Sequence, residues 1–152
     1  PEGKLTRAQF VKLLACSLEE AETLKTYEGQ HPFTDSEGHW AETYIAWAKD
    51  KGIVEGVSAT EFDPEAPITR EQMAAILYRY AAYWELDVSA EADLSAYEDA
   101  SSVSAYAQAA MQWAVANGVI NGTSATTLEP AGTATRAQAA TVLVRFQNSM
   151  KS

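Results

Sequence analysis

The stretch PITREQMAAILYRYA, residues 67–81, carries the signals of a helix start. Thr69 suits the N-cap, and Gln72 stands three residues later, where its side chain can bond back to the backbone N–H of the cap in a capping box. Arg70 then takes the first helical position, where the helix dipole disfavours a cation by about 0.3–1 kcal/mol. The stretch therefore predicts a helix that begins near Thr69, and its arginine needs an explanation.

This pattern of Thr, Arg and Gln occurs three times, as LTRAQF at 5–10, ITREQM at 68–73 and ATRAQA at 134–139. A proline stands five residues before each threonine, at Pro1, Pro64 and Pro130. Two explanations for the repeated arginine stay open. The copies share descent and the arginine makes a surface ion pair, or three arginines beside free backbone N–H groups form anion sites.

Each full repeat reads as a short helix, a turn, a loop and a second helix. The first helix has an apolar stripe with helical spacing, and Trp47 and Trp113 are expected in the core. It ends at Gly52 or Gly118, as a left-handed C-terminal cap requires. The expected apolar faces of the helices that follow the threonines are Phe10, Leu13, Leu14 and Leu18; Met73, Ile76, Leu77, Tyr80 and Trp84; and Val142, Leu143, Phe146 and Met150. No convincing strand alternation is present, so the predicted class is all-α.

Composition narrows the class of protein. The chain has 152 residues and a formal net charge of −10, which argues against nucleic acid as a partner. The given residues show no signal peptide, which says nothing about secretion if the chain is a piece of a longer polypeptide, and no apolar run long enough to span a membrane. Cys16 is the single cysteine, so no disulfide framework is expected, and a buried thiol on a helix is the interpretation. Because the chain opens on a proline that lies mid-repeat in the other copies, we interpret it as a piece of a longer polypeptide.

The ordered motifs together resemble the S-layer homology (SLH) repeat. They are aromatic-x-Asp, an aromatic, Gly-aliphatic-aliphatic-x-Gly, Phe/Leu-x-Pro and Thr-Arg-x-Gln. The family usually has Glu where this chain has Gln at the end of the last motif. The resemblance implies a pseudo-threefold spindle with a central three-helix bundle and helical prongs, its first repeat incomplete. The expected parts, together one domain, are the second half of a first repeat at 1–30, a second repeat at 31–84, an acidic connector at 85–96 and a third repeat at 97–152.

The resemblance also implies ligand-binding residues in grooves between repeats. The groove arginine maps to Arg7, Arg70 and Arg136; the aspartate to Asp35 and Asp99; the aromatic to Trp40 and Tyr106; and the turn glycine to Gly56 and Gly122. A guanidinium can grip a ketal carboxylate bidentately, an indole offers a flat face to a sugar ring, and a glycine permits close approach. The alternative for each aspartate is that it only caps a helix or pairs with an arginine.

Two functions from different classes follow. The first, implied by the resemblance, is a non-enzymatic anchor outside the cell, at the cell wall or S-layer, whose partner is a secondary cell wall polymer, anionic or pyruvylated. The second is a protein interaction or assembly module on the same scaffold, with self-association through the incomplete first repeat. No nucleophile, acid–base pair, metal site or cofactor motif emerges from the sequence.

Two further expectations concern particular segments. Residues 19–32 form a longer connection than a turn requires, so the first helix should run past Leu18 and end before Gly29.

If the arginines bind an anion, they should be partly exposed, and Arg70→Ala should leave stability nearly unchanged. If they brace the scaffold, they should be buried against carboxylates.

Overall fold

The computed structural model describes residues 3–149, and within them the fold is all-α, as predicted. No strand is assigned in that range. Pro1 and Met150, which the sequence interpretation used, lie outside it. The helices are α1 (Arg7–Leu18), α2 (Ala21–Lys25), α3 (Glu42–Asp50), α4 (Arg70–Tyr83), α5 (Gln108–Ala116) and α6 (Arg136–Ser149). Three 3₁₀ turns, Leu94–Ala96, Ala100–Ser102 and Ala105–Ala107, precede α5.

All three capping boxes are present, and they start α1, α4 and α6 one residue after their threonine. The hydroxyl of Thr69 accepts from the Gln72 backbone N–H at 3.3 Å, and the Gln72 side chain accepts from the Thr69 N–H at 2.9 Å. The third copy has the same reciprocal pair between Thr135 and Gln138. The helix starts predicted from the sequence are therefore confirmed.

The ends of α3 and α5 are also as predicted. Gly52 and Gly118 have φ of 72° and 70°, the left-handed region that glycine adopts without cost. The next residue then turns its N–H back to the helix, from Ile53 to the Ala48 carbonyl at 2.9 Å and from Val119 to the Ala114 carbonyl at 2.8 Å. This is the Schellman arrangement, and it buries the aliphatic residue after each glycine.

The chain forms two compact units, and their border does not follow the sequence repeats. The first unit is Leu5–Pro67, and the second contains the residues up to Lys4 and from Ile68 onward. Each unit therefore joins the second helix of one repeat to the first half of the next. The domain boundaries stated above, and the central three-helix bundle, stay predictions.

The first unit packs α1 against α3, with α2 on the outer part of α3. Phe10, Leu14, Ile45 and Trp47 are fully buried, each side chain worth about 1.5–3 kcal/mol or more of hydrophobic stabilisation. The indole N–H of Trp47 donates to Glu19 at 3.1 Å, which satisfies its polar atom. Trp47 is thus a core residue, as expected.

Two expectations for the first unit are wrong. The helix α1 stops at Leu18, because Glu19 is extended (φ −124°, ψ 153°) and the chain turns into α2. That turn lets Leu24 and Tyr27 bury themselves, and the Tyr27 hydroxyl donates to Asp50 at 2.5 Å. Cys16 is exposed rather than buried, because it lies beside the stripe of buried residues on α1.

The second unit packs α4 against α5, and α6 joins them through aromatic side chains. Phe146 meets Tyr80 and Trp113 edge-on, at ring centroid distances of 5.8 and 5.9 Å. Glu71 is buried and accepts from the N–H and hydroxyl of Ser104, at 2.8 and 2.6 Å. Trp84 was expected on the buried face of α4, but it is the C-cap residue and is 51% exposed.

We expect Thr69→Ala to lower the free energy of unfolding by about 0.5–2 kcal/mol, because the Gln72 N–H loses its acceptor at the start of α4. Chemical denaturation followed by circular dichroism measures the change. Thr69→Ser keeps the hydroxyl and is the control. Equal stability of the alanine and serine variants would mean that the cap contributes nothing.

Candidate functional site

Arg7 is buried at the start of α1, with only 6% of its surface exposed. Its Nε donates to the Phe62 carbonyl at 3.0 Å, and its Nη2 donates to the Glu55 carbonyl at 3.4 Å. The guanidinium also lies over the Phe62 ring, 4.5 Å from the centroid. Arg7 therefore holds the loop that precedes Pro64 against α1 through two backbone carbonyls.

Arg70 repeats this arrangement in the second unit. Its Nε donates to the Leu128 carbonyl at 2.8 Å, and its Nη2 donates to the Asn121 carbonyl. These acceptors stand 66 residues after Phe62 and Glu55, at equivalent repeat positions. Arg70 is half-buried, and burial lowers its pKa while Glu129 and Asp99 act in the opposite direction.

The two aspartates hold the same loops from the other side. Asp35 accepts from the backbone N–H groups of Phe62 and Asp63 at 2.9 and 2.8 Å. Asp99 accepts from Leu128 and Glu129, both at 2.8 Å. These N–H groups lower the pKa of Asp99 below its usual value of 3.8. The aspartates therefore neither cap the next helix with their side chains nor make a direct ion pair with an arginine, which were the alternatives considered.

In each loop, one residue is thus hydrogen-bonded on both sides. Its N–H donates to an aspartate, and its carbonyl accepts from an arginine. We call Asp35, Phe62 and Arg7 the first clamp, and Asp99, Leu128 and Arg70 the second clamp. The following residues, Asp63 and Glu129, have φ of 61° and 49°, which is strained for a residue with a side chain. The second hydrogen bond of each aspartate offsets this strain.

The backbone N–H groups at the starts of α1 and α4 are not free, which corrects one of the two explanations offered for the arginines. Arg7 and Ala8 donate theirs to carbonyls of the 64–66 loop at 2.8 and 3.0 Å. Arg70 and Glu71 donate to Gly132 and Pro130, both at 2.9 Å. With the threonine caps, the first-turn donors are used, so these helix starts offer no backbone anion site.

Arg136, at the start of α6, has no such loop. It is exposed, and within residues 3–149 neither its side chain nor its backbone N–H finds a hydrogen-bond acceptor. Thr135 forms an isolated antiparallel bridge with Lys4. The three arginines were expected to be equivalent. Within residues 3–149, Arg7 and Arg70 each belong to a clamp, and Arg136 does not.

The two aromatic residues implied by the resemblance are both exposed. Trp40 and Tyr106 stand just before α3 and α5, and each is 54% exposed. Trp40 has the Lys12 ammonium 5.8 Å from its ring centroid and the His39 ring 5.3 Å away. The Nε2 of His39 lies 2.5 Å from Glu65, which places Trp40 beside the loop of the first clamp. A flat ring exposed at a loop edge suits stacking on an apolar face of a ligand.

The turn glycines have a structural reason to be glycine. A Cβ at Gly56 would lie 2.3 Å from the Glu61 carbonyl and 2.6 Å from the Phe33 ring. A Cβ at Gly122 would lie 2.5 Å from the Ser124 carbonyl and 2.8 Å from the Tyr97 ring. A side chain at either position would therefore clash with the loop itself, and the ligand contact expected at these glycines stays a prediction.

Sequence reasoning missed the backbone acceptors of the clamps and the cation beside Trp40. The Phe/Leu-x-Pro motif marks the clamped residue, but carbonyl acceptors leave no signal in the identity of Glu55 or Asn121. Among residues 3–149, no three His, Cys, Asp or Glu side chains are grouped to hold a metal ion. In the same range no helix is both long and apolar enough to cross a membrane.

These contacts define an all-α repeat protein whose loops are fastened to helix starts, and comparisons with known proteins identify its family. A family model of the S-layer homology domain matches residues 32–74 and 96–140. Over 94% of its length the chain is 37% identical to an endoglucanase of Bacillus sp. strain KSM-635. Over 95% it is 38% identical to the surface-layer 125 kDa protein of Lysinibacillus sphaericus. Over 52% it is 31% identical to a cellulosome-anchoring protein of Acetivibrio thermocellus.

The chain belongs to the S-layer homology domain family. It covers only 15%, 12% and 18% of the lengths of these three relatives. An S-layer homology domain is a binding and anchoring module of the cell surface, not a catalyst. In the endoglucanase, the region that this chain matches is a small part of a longer chain.

We expect Arg70→Ala to lower the free energy of unfolding by about 1–3 kcal/mol, because it leaves the carbonyls of Leu128 and Asn121 without their charged donor. This replaces the sequence expectation of nearly unchanged stability. Arg136→Ala is the matched control, with the same residue at the same helix position and an expected change within about 0.5 kcal/mol. Urea denaturation measures both, and equal effects would contradict the clamp.

We expect Asp99→Asn to remove part of the acid sensitivity of the fold. Because the folded-state pKa of Asp99 is lowered, its stabilisation is present above the unfolded value and is lost as pH falls through the folded one. The stability gap between wild type and Asp99→Asn should therefore be largest at neutral pH and should narrow below about pH 4. Denaturation at several pH values measures the gap.

Glu91→Gln, which removes an exposed carboxylate in the acidic connector, corrects for the change in net charge. A gap that stays constant from neutral to acid pH would mean that the carboxylate charge of Asp99 does not hold the loop.

Proposed function

We propose that this chain is a non-covalent, extracellular anchor that binds a secondary cell wall polysaccharide, anionic or pyruvylated. The relatives named for a surface layer and for anchoring a cellulosome support an envelope role. The match to an endoglucanase is also consistent with this role, because such a module would attach the enzyme to a surface. On this proposal the polymer contacts lie within each unit, where the second helix of one repeat meets the first half of the next.

The observation that carries the proposal is the pair of exposed aromatic rings at equivalent positions. Most aromatic side chains of the described residues are buried or half-buried, whereas Trp40 and Tyr106, each 54% exposed, are exposed at equivalent positions of the two repeats. An exposed ring costs the fold hydrophobic stabilisation, so its retention at both positions indicates a use at the surface. Sugar rings have apolar faces that stack on such a ring.

The proposed roles of the charged residues differ from those implied by the resemblance alone. Asp35 and Asp99 shape the loops, since both oxygens of each already accept backbone N–H groups. Gly56 and Gly122 let the same loops close on themselves. These residues would affect polymer binding by holding the loop in place.

On our proposal, Arg70 both holds the loop of the second clamp and binds the acidic group of the polymer. Its Nε and Nη2 use one edge of the guanidinium for the clamp, which accounts for two of its five donors. The opposite edge, formed by Nη1 and the second hydrogen of Nη2, makes no hydrogen bond to residues 3–149. A half-buried guanidinium edge of this kind can take a carboxylate bidentately.

We expect the double variant Trp40→Ala and Tyr106→Ala to lower the affinity for purified cell wall about tenfold or more, as loss of about 1.5 kcal/mol of stacking predicts. Trp84→Ala is the matched control, since Trp84 is 51% exposed but lies at the end of α4 outside the motif. Co-sedimentation with wall sacculi, before and after extraction of the non-peptidoglycan polymer, measures binding. The melting temperature of each variant checks its folding.

Three outcomes separate the proposals. Binding that disappears with the extracted polymer and with the double variant supports the polysaccharide anchor. Binding that survives extraction would overturn it. An absence of wall binding would leave the protein interaction and assembly module, the second function considered from the sequence.

A further inference from the structure

The first unit lacks an accessible arginine at the place where the second unit has one. Arg7 is buried under the Phe62 ring and bonded to two carbonyls, whereas Arg70 is half-buried. An acidic sugar held at Trp40 would therefore need a different cation. The exposed cation beside Trp40 is Lys12, with its Nζ 5.8 Å from the ring centroid.

We propose that Lys12 binds the acidic group of the ligand at the Trp40 site, so that this site selects an acidic saccharide through Lys12 and not through Arg7. The inference rests on the proposed function. It assigns to the first unit a residue that is outside the repeated Thr-Arg-x-Gln motif. It also predicts that the two units bind the acidic group of the ligand with different side chains, Lys12 in the first and Arg70 in the second.

The packing of α1 on α3 sets the position of Lys12 on the helix surface. The buried stripe of α1 runs through Ala8, Val11 and Ala15, and position 12 lies beside it. One turn further, Cys16 lies beside Tyr44, and burial together with this thiol raises the pKa of Tyr44. Lys12 with Trp40 and Cys16 with Tyr44 thus form successive layers along one edge where α1 meets α3. Helix packing therefore places the backbone of residue 12 on the side of α1 that bears the Trp40 contact.

The position of the ammonium suits a ligand that stacks and carries a charge. At 5.8 Å over the ring it is at the outer limit of a cation–π contact, and Trp40 is 54% exposed, so much of the indole remains accessible to a ligand. A carboxylate on that ligand could then meet the ammonium at the edge of the ring. His39 and Glu65 also lie near Trp40, but the Glu65 carboxylate is already bonded to His39.

The second unit contains a natural contrast. The residue that corresponds to Lys12, by alignment of Thr6 with Thr69, is Ala75, and it is buried. The second unit therefore has no lysine at this helix position, and its half-buried arginine is Arg70 at the start of α4. Removal of Lys12 should affect the Trp40 site alone.

The test uses the Tyr106→Ala chain, in which the Trp40 site dominates binding. Affinity is measured by calorimetry for two defined wall fragments, one pyruvylated and one with the ketal removed by mild acid. In this chain, Lys12→Ala should lower affinity for the pyruvylated fragment about two- to fivefold, as an exposed ion pair predicts, and should leave the other fragment unchanged. Lys12→Arg should retain the preference, and added salt should weaken it.

Lys25→Ala is the matched control, because it removes an exposed lysine whose carboxylate partner is only Glu22. Trp40→Ala in the same chain tests the site itself. If Trp40→Ala abolishes binding but Lys12→Ala changes neither fragment, or changes both equally, the role of Lys12 is overturned and the anchor stands. If Trp40→Ala leaves binding intact, the proposed polysaccharide site at Trp40 fails, and the role of Lys12 with it.

Discussion

The rest of each unit depends on one constraint: a single loop residue is hydrogen-bonded through both its N–H and its carbonyl to charged side chains. Phe62 and Leu128 each give their N–H to an aspartate and their carbonyl to an arginine. Both hydrogen bonds involve a charged partner, and such bonds are roughly twice as strong as neutral ones. The clamp fixes the position of a loop whose backbone is not hydrogen-bonded in a β-sheet, since no strand is assigned in residues 3–149. It also delivers the loop carbonyls that satisfy the first N–H groups of α1 and α4.

That constraint explains why the compact units do not coincide with the sequence repeats. The arginine and its helix come from one repeat, while the aspartate, the clamped residue and the exposed aromatic come from the next. A repeat alone would leave its arginine and the start of its helix without the loop carbonyls, as is seen for Arg136 and α6 within residues 3–149. On the proposed function, binding at the exposed aromatic would therefore require neighbouring repeats, since the aromatic and the helix beside it belong to different copies.

Local features of the fold were predictable from the sequence because they rest on contacts between residues close in the chain. The capping boxes and the Schellman ends of α3 and α5 involve residues at most six apart. The stop of α1 at Leu18 was not predictable, since it depends on burying Tyr27 near Asp50 on another helix. The arginine contacts were missed for a related reason. Their acceptors are backbone carbonyls 48 to 58 positions away, and a carbonyl is present at every residue.

The clamp also accounts for a cation at the first position of a helix. The dipole penalty comes from unsatisfied N–H groups of the first turn, which carry partial positive charge. In α1 and α4 these groups face the carbonyls of Ala66, Pro64, Gly132 and Pro130, whose negative ends offset that charge. The guanidinium itself is bonded to two more carbonyls of the same loop. The arginine is therefore surrounded by backbone oxygen, and the helix start disfavours it less than its position alone suggests. In α6, where this loop is absent from the described residues, the arginine extends into solvent instead.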